Sequence, residues 1–216
     1  MGLFRLFWIP VGMEPAQGAY VRSHAADLLA IVALESRRAR AFIVGEDLGT
    51  VEERTRAELA ARRILSYRLV WFEKTPPASY PEQALSAITT HDLPTVAGLW
   101  AGADLEAQRQ LKLAPNEAGT QEIHDRVKAV TRATARTPVE TVIALLHAAL
   151  AAAPSRLLTA TLEDAMAAPE RPNMPATTHQ WPNWSIPLPA PIETLTKSPL
   201  AAAIAKSLRR RARAKR

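Results

Sequence analysis

Two short acidic strings carry residue types and spacing suited to chemistry. They are Gly45-Glu46-Asp47-Leu48-Gly49, directly after the apolar run Phe42-Ile43-Val44, and Thr89-Thr90-His91-Asp92-Leu93-Pro94-Thr95, directly after Ala87-Ile88. A carboxylate placed where a strand gives way to its loop is aimed from a rigid support, as active groups are in folds of alternating strands and helices. Two carboxylates on neighbouring strands suit glycosyl transfer: one acid protonates the departing glycosidic oxygen, and the other carboxylate stabilises or captures the oxocarbenium carbon. His91 could then donate to a sugar hydroxyl. The same three groups could instead hold a divalent metal, as in a metal hydrolase, although a good site needs more ligands than these strings offer. The plainest alternative is that each acid caps the helix after it. That suits Asp92, ahead of Leu-Pro-Thr. It suits Glu46 less, because Glu is a poor N-cap and its flanking glycines suggest close approach of another group. His24, His124, His147 and His179 show neither HxH nor HExxH spacing and read as surface or loop residues.

The elements that must position these groups alternate between two periods. Ala41 to Val44, Ser66 to Phe72, Leu85 to Thr90 and Leu157 to Thr161 are short, apolar and β-branched or aromatic, as buried parallel strands are. Between them, Asp27 to Arg40 reads as a helix with Leu28, Ile31, Val32 and Leu34 on its apolar face and Arg37, Arg38 and Arg40 where cations suit the dipole. Val51 to Arg63 has the same polarity, acids early and arginines late. This order argues for an α/β fold with parallel strands. Residues 103–153 turn helical and alanine-rich, punctuated by Pro115 and Pro138, and read as a helical insertion. Leu162 to Ala168 gives a short helical turn, Pro169 to Pro191 an ordered proline-rich loop, and Ser198-Pro199 the start of a last helix. The domain reading is therefore 1–102, 103–153, 154–197 and a basic helix 198–216. Four strands are too few to close a barrel, so the chain reads as part of a larger fold.

Composition narrows the classes further. The chain has 216 residues, 48% of them hydrophobic and 22% charged, which excludes disorder along its whole length. With no cysteine, a disulfide framework, a thiolate nucleophile and a thiolate metal site are all excluded, which favours a cytoplasmic setting. The apolar stretch Leu3 to Val11 is broken by Arg5 and is too short to span a bilayer, so no membrane partner is expected. The net charge is +6, but Lys206, Arg209, Arg210, Arg211, Arg213, Lys215 and Arg216 alone carry seven positive charges, so the preceding body is close to neutral. No aromatic residue is interleaved with this run, and nucleic acid is not expected as a partner.

The two acidic strings, together with Met1-Gly2-Leu3-Phe4-Arg5-Leu6-Phe7-Trp8-Ile9-Pro10, Gln17-Gly18-Ala19-Tyr20-Val21, Ser66-Tyr67-Arg68, Thr159-Ala160-Thr161-Leu162-Glu163-Asp164, Asn173-Met174-Pro175-Ala176-Thr177 and Trp181-Pro182-Asn183-Trp184, resemble amylomaltase. This is the 4-α-glucanotransferase or disproportionating enzyme of glycoside hydrolase family 77. The resemblance implies a retaining transferase on a (β/α)₈ TIM barrel that moves 1,4-linked segments of malto-oligosaccharides and other α-1,4-glucans to an acceptor sugar. It implies no cofactor and no metal. Carried onto this chain, Glu46 resembles the general acid/base, Asp92 the third carboxylate, which distorts the donor sugar, and His91 a hydroxyl ligand. Asp47 and Asn173 resemble substrate contacts.

Two departures qualify the resemblance. The family loop reads Asn-x-Pro-Gly-Thr, whereas Ala176 stands at the glycine; a position that needs positive φ would shift the loop. The family nucleophile is the aspartate of an Asp-His-x-x-Gly motif, and Met1-Gly2 resembles the end of it, which puts the nucleophile upstream of Met1. The four strands then become strands five to eight of an incomplete barrel. Without its nucleophile a retaining mechanism cannot form the glycosyl intermediate, so this chain alone is expected to be inactive, with apolar side chains exposed or covered by a missing N-terminal half. The alternative is a non-catalytic α-glucan-binding remnant that uses Trp181 and Trp184 to stack on sugars, against the simpler expectation that both tryptophans pack in the core.

Overall fold

The computed structural model describes residues 2–214, with side chains as far as Arg209. Lys215 and Arg216 and the side chains of Arg210, Arg211 and Arg213, part of the basic run, lie outside the described residues. The chain is α/β and divides into two units, Met1–Tyr67 with Gln83–Leu85, and Arg68–Glu82 with Ser86–Arg216. Residues 103–153, read as an insertion, belong to the second.

The first unit opens with an antiparallel ladder that the strand count did not include. Strands β1 (Arg5–Trp8) and β2 (Ala19–Arg22) pair in the register Arg5 to Arg22 through Trp8 to Ala19. Gly18 is required there, since a Cβ would lie 2.6 Å from the Phe7 ring. Helix α1 (Ala25–Ala39) has Asp27 in its first turn, Arg37 and Arg38 in its last, and ends on Arg40 in the left-handed conformation. Its packed face differs from the expected one: Leu29 is buried and Val32 packs beside it, while Ile31 and Leu34 are exposed. Helix α2 (Glu53–Ala61) contributes Leu59 to a small core of Leu29, Leu59 and Ile64. Of the expected strand Ala41 to Val44 only a bridge remains, with Val44 parallel to Leu65. The core above it is thin, and Leu6, Trp8, Val11, Tyr20 and Phe42 are also exposed.

Strands β3 (Ser66–Leu69), β4 (Ala84–Ala87) and β5 (Leu157–Leu158) form one sheet in that order. Amides of Ser66, Val70 and Trp71 donate to the carbonyls of Gln83, Ala87 and Ile88, and those of Arg156 and Thr159 donate to Glu82 and Ser86. Both sets of partners rise together along the chain, which makes the strands parallel.

The second unit has the substantial core. Helices α3 (Val96–Trp100), α4 (Ala103–Gln110), α5 (Glu117–Thr131), α6 (Val139–Leu150), α7 (Leu162–Ala165) and α8 (Pro199–Ala214) pack chiefly on one another, with α6 against α3, α5 and α8. The helix α6 contributes Val142, Ile143, Leu146 and Leu150, all fully buried; each contributes roughly 1.5–3 kcal/mol by leaving water. Pro138 is the N-cap of α6, and Asn116, just after Pro115, caps α5 by accepting from the Gly119 amide. His147, expected at the surface, is buried in this core. Its Nδ1 lies 2.9 Å from the Ile143 carbonyl, and burial lowers its pKa, so the ring is held neutral. Sequence spacing missed this because one polar ring nitrogen bonded to its own helix lets a histidine pass as an apolar residue.

A buried carboxyl links α7 to α3. Asp164 is 1% exposed, and its Oδ1 accepts from the Val96 amide at 2.9 Å, while its Oδ2 has no partner. Burial above all raises its pKa from 3.8 to about 6. A carboxyl whose folded pKa is raised contributes stability that is fully present below the unfolded value and lost as pH rises through the folded one. From pH 4 to pH 7.5, Asp164→Asn should therefore gain on the parent chain by on the order of 3 kcal/mol. Urea midpoints of both proteins at the two pH values measure this. A gap that does not change with pH would contradict the assignment.

Candidate functional site

The first acidic string lies in the first unit. The amide of Gly45 donates to the Leu65 carbonyl at 2.8 Å, which fixes the backbone just ahead of Glu46. The group that closely approaches Gly45 is the chain's own core. A Cβ at Gly45 would press on Leu59 and Ile64 at 3.0 and 3.2 Å, and Gly49 is needed for its φ of 74° in open space. Glu46 is exposed and does not cap α2; its Oε1 accepts from the Leu48 amide at 3.0 Å. Burial, and then the negative charge of Glu46, raise the pKa of the Tyr67 phenol. Tyr67 is thus within electrostatic reach of the acid, a relation that spacing alone does not reveal.

Asp47 takes a different part from the expected one. It is 3% exposed; Oδ2 accepts from the Ser66 hydroxyl at 2.7 Å, Oδ1 accepts from the Tyr67 amide at 2.8 Å, and the Arg56 guanidinium stands 3.8 Å away. A carboxylate engaged in this way ties the loop to β3 and has no exposed oxygen for a sugar. Asp47, which the resemblance implied as a substrate contact, is placed here as a strut between the loop and β3.

The second acidic string lies in the second unit, at the end of β4. The loop is pinned from below, where both the Trp71 indole and the Thr89 hydroxyl donate to the Pro94 carbonyl, at 2.8 and 2.9 Å. The capping alternative for Asp92 fails here. Thr95 caps α3, its hydroxyl accepting from the Gly98 amide at 2.9 Å, and Asp164 takes the Val96 amide. Gly98 permits this arrangement, because a Cβ would sit 2.3 Å from the Pro169 carbonyl oxygen. With the helix capped by others, the Asp92 carboxylate is left 48% exposed. Its Oδ1 accepts from the Asn173 side-chain amide at 2.7 Å, and its Oδ2 is 3.4 Å from His91 Nε2. The Asn173 backbone amide donates to the His91 carbonyl at 3.2 Å. Three of the expected site residues, His91, Asp92 and Asn173, therefore meet in one cluster.

The cluster rests on a buried ion pair that sequence reading did not single out. Arg171 and Asp104, with side chains 7% and 4% exposed, make two parallel hydrogen bonds, and Arg171 also donates to the Asp92 carbonyl at 2.8 Å. Asp104 reads from sequence only as an acid in the first turn of α4, and no local rule pairs it with an arginine far along the chain. The Trp181 indole donates to the Arg171 carbonyl, so this half-buried tryptophan anchors the loop. Trp184 is not in the core: it is 66% exposed, and its ring centroid lies 4.8 Å from that of His91.

Ala176 adopts the conformation in question, with φ 65°. Pro175 and Ala176 are the central residues of a turn closed by the Thr177 amide and hydroxyl on the Met174 carbonyl, and positive φ at the third position favours glycine. The loop is therefore strained at this residue and keeps its turn. Ala176→Gly should stabilise the chain by about 1 kcal/mol, the left-handed penalty less the glycine entropy. A lower denaturation midpoint in the variant would contradict the strain. Among the described residues no group of three or more His, Asp or Glu side chains could hold a metal, and no helix is long and apolar enough to cross a membrane.

Known proteins resemble the chain over most of its length. The family model described as 4-alpha-glucanotransferase matches residues 1–193. A 4-alpha-glucanotransferase of Mycobacterium tuberculosis is 39% identical over 212 residues, covering 88% of this chain and 29% of the relative. One of Haemophilus influenzae is 34% identical over 215 residues, covering 89% and 31%. The crystal structure of amylomaltase from Corynebacterium glutamicum superimposes with a TM-score of 0.85 at 32% identity, over 96% of this chain and 34% of that one. An amylomaltase from Streptococcus agalactiae in complex with acarbose shares the fold, with a TM-score of 0.68 at 19% identity, covering 97% and 39%. The chain thus spans about 30% of the length of the curated relatives it matches. A family match across residues 1–193 includes both acidic strings and the Asn173 loop, and the chain belongs to the 4-alpha-glucanotransferase family.

Proposed function

We propose that this chain is the C-terminal part of a 4-α-glucanotransferase, comprising strands five to eight of a (β/α)₈ barrel with residues 103–153 as a helical insertion. It contributes to a retaining transfer of α-1,4-glucan segments between malto-oligosaccharides, in a cytoplasmic setting. The observation that carries this reading is the cluster at the end of β4, where a half-exposed Asp92 is oriented by Asn173 and flanked by His91. A carboxylate held in this way can accept hydrogen bonds from sugar hydroxyls and stabilise positive charge developing at the anomeric carbon, with the imidazole supplying a neighbouring hydroxyl ligand. Glu46, exposed just after the Val44 bridge, serves as the general acid that protonates the leaving oxygen and then as the base that activates the acceptor.

The nucleophile in this reading is an aspartate supplied by polypeptide outside these residues, and the chain by itself is inactive. The exposed Leu6, Trp8, Ile31, Leu34 and Phe42 in the first unit support a segment that covers them. Maltotriose disproportionation, followed by release of glucose and longer maltodextrins, tests the proposal. The chain alone should show no turnover, and the protein extended to carry the Asp-His-x-x-Gly aspartate should show it. A folded extended protein with no transferase activity would refute the reading.

A further inference from the structure

One of the residues held at positive φ is an exposed tryptophan. Trp184 has φ 61°, a conformation that bulky side chains avoid, yet it is 66% exposed, so burial of its indole does not offset the strain. The surrounding loop imposes the conformation. The Ser185 amide donates to the Pro182 carbonyl at 3.1 Å, closing a turn with Trp184 at the position where glycine is favoured. The Trp184 amide donates to the Pro172 carbonyl at 2.9 Å. Asn183 fastens the turn to the neighbouring one, accepting from the Met174 amide at 2.8 Å and donating to the Thr177 hydroxyl at 2.9 Å. Strain held in place by so many bonds points to function.

The turn carries the indole to the His91 ring, with centroids 4.8 Å apart and planes at 49°. His91 adjoins the Asp92 carboxylate, and both side chains are about half exposed. An open aromatic face next to a carboxylate and an imidazole matches the two-sided chemistry of a pyranose, whose C–H face packs on an aromatic ring while its edge hydroxyls bond to polar groups. From this juxtaposition we infer that Trp184 is a stacking platform for a glucosyl residue of an α-1,4-glucan bound at His91 and Asp92. The inference rests on the glucan-site reading proposed above. It adds a binding residue whose place is set by the Asn183 clamp.

Maltoheptaose titrated into this chain is the test, followed by the NMR signals of the tryptophan indole N–H groups; the Trp184 signal is the one that Trp184→Phe removes. Glycine suits the turn, so Trp184→Gly should leave the thermal midpoint no lower than that of the parent chain. It should weaken maltoheptaose binding roughly tenfold, with Trp184→Phe much closer to the parent. A glucan interaction lost on Asp92→Asn but unchanged in Trp184→Gly overturns the platform and leaves the glucan site standing. A lower midpoint in Trp184→Gly also overturns it, by making the indole a structural support. If maltoheptaose perturbs neither Trp184 nor His91, platform and glucan site fall together.

Discussion

Glu46→Gln, made in the protein extended to carry the nucleophile, should lower maltotriose disproportionation by ~10²- to 10⁴-fold, the range that a positioned general acid contributes. The substitution isolates the proton. The Glu46 Oε1 accepts from the Leu48 amide at 3.0 Å, and a glutamine oxygen can keep that bond, so the local turn survives. What disappears is the carboxyl that, in the proposed reading, gives a proton to the leaving glycosidic oxygen. α-Glucosyl fluoride separates this from a structural effect, because fluoride leaves without being protonated. Its release in the first turnover should be largely spared in the variant, while the return step that needs a base is slowed. An equal loss on both donors would move Glu46 out of the acid/base role. The phenol of Tyr67 gives a second readout: part of its raised pKa comes from the Glu46 charge, so its titration should shift down in the variant, with the larger share due to burial retained.

Arg171→Met should be among the most damaging single changes, costing about 3–5 kcal/mol, because it leaves the Asp104 carboxylate buried without its cation. Arg171→Lys should restore little of this, since an ammonium cannot reproduce two parallel bonds to Asp104 together with the bond to the Asp92 carbonyl. Replacing both partners, as in Arg171→Met with Asp104→Leu, should recover most of the stability, because an apolar pair of similar volume no longer strands a charge. It should not recover the orientation of Asp92, which loses its carbonyl anchor in either case. Denaturant unfolding measures the first effect, and the Asp92 carboxyl signal, compared between parent and double variant, measures the second. A double variant as unstable as Arg171→Met, or one with Asp92 unchanged, would contradict this account of the pair.

Much of the local structure was legible in the residues. The acid and the arginines at opposite ends of α1, the acid in the first turn of α2, Pro199 at the start of α8 and the stretches that became β3, β4 and β5 obey rules acting within a few residues, and these elements formed close to where they were expected. The apolar run at Ala41 to Val44 shows the limit. It is composed like a strand but has so little to pair with that one bridge remains. The face of α1 shows another: the helix was predictable, but whether Leu29 or Ile31 turns inward depends on what lies beside it.

The candidate site divides along the same line. The types of Glu46 and Asp92 and their places just after apolar runs are properties of the sequence, as are His91 next to Asp92 and the departure from glycine at Ala176. The tertiary structure alone decided that Asp47 is an internal strut, that Thr95 and Asp164 relieve Asp92 of any capping duty, that Arg171 and Asp104 form the base under the cluster, and that Trp184 faces outward beside His91. Each of these depends on a partner brought close by folding, and the sequence carries no rule for which polar groups will meet once water is excluded. Propensity and periodicity act between near neighbours, whereas the burial of a charge and the company it keeps depend on the whole packed unit.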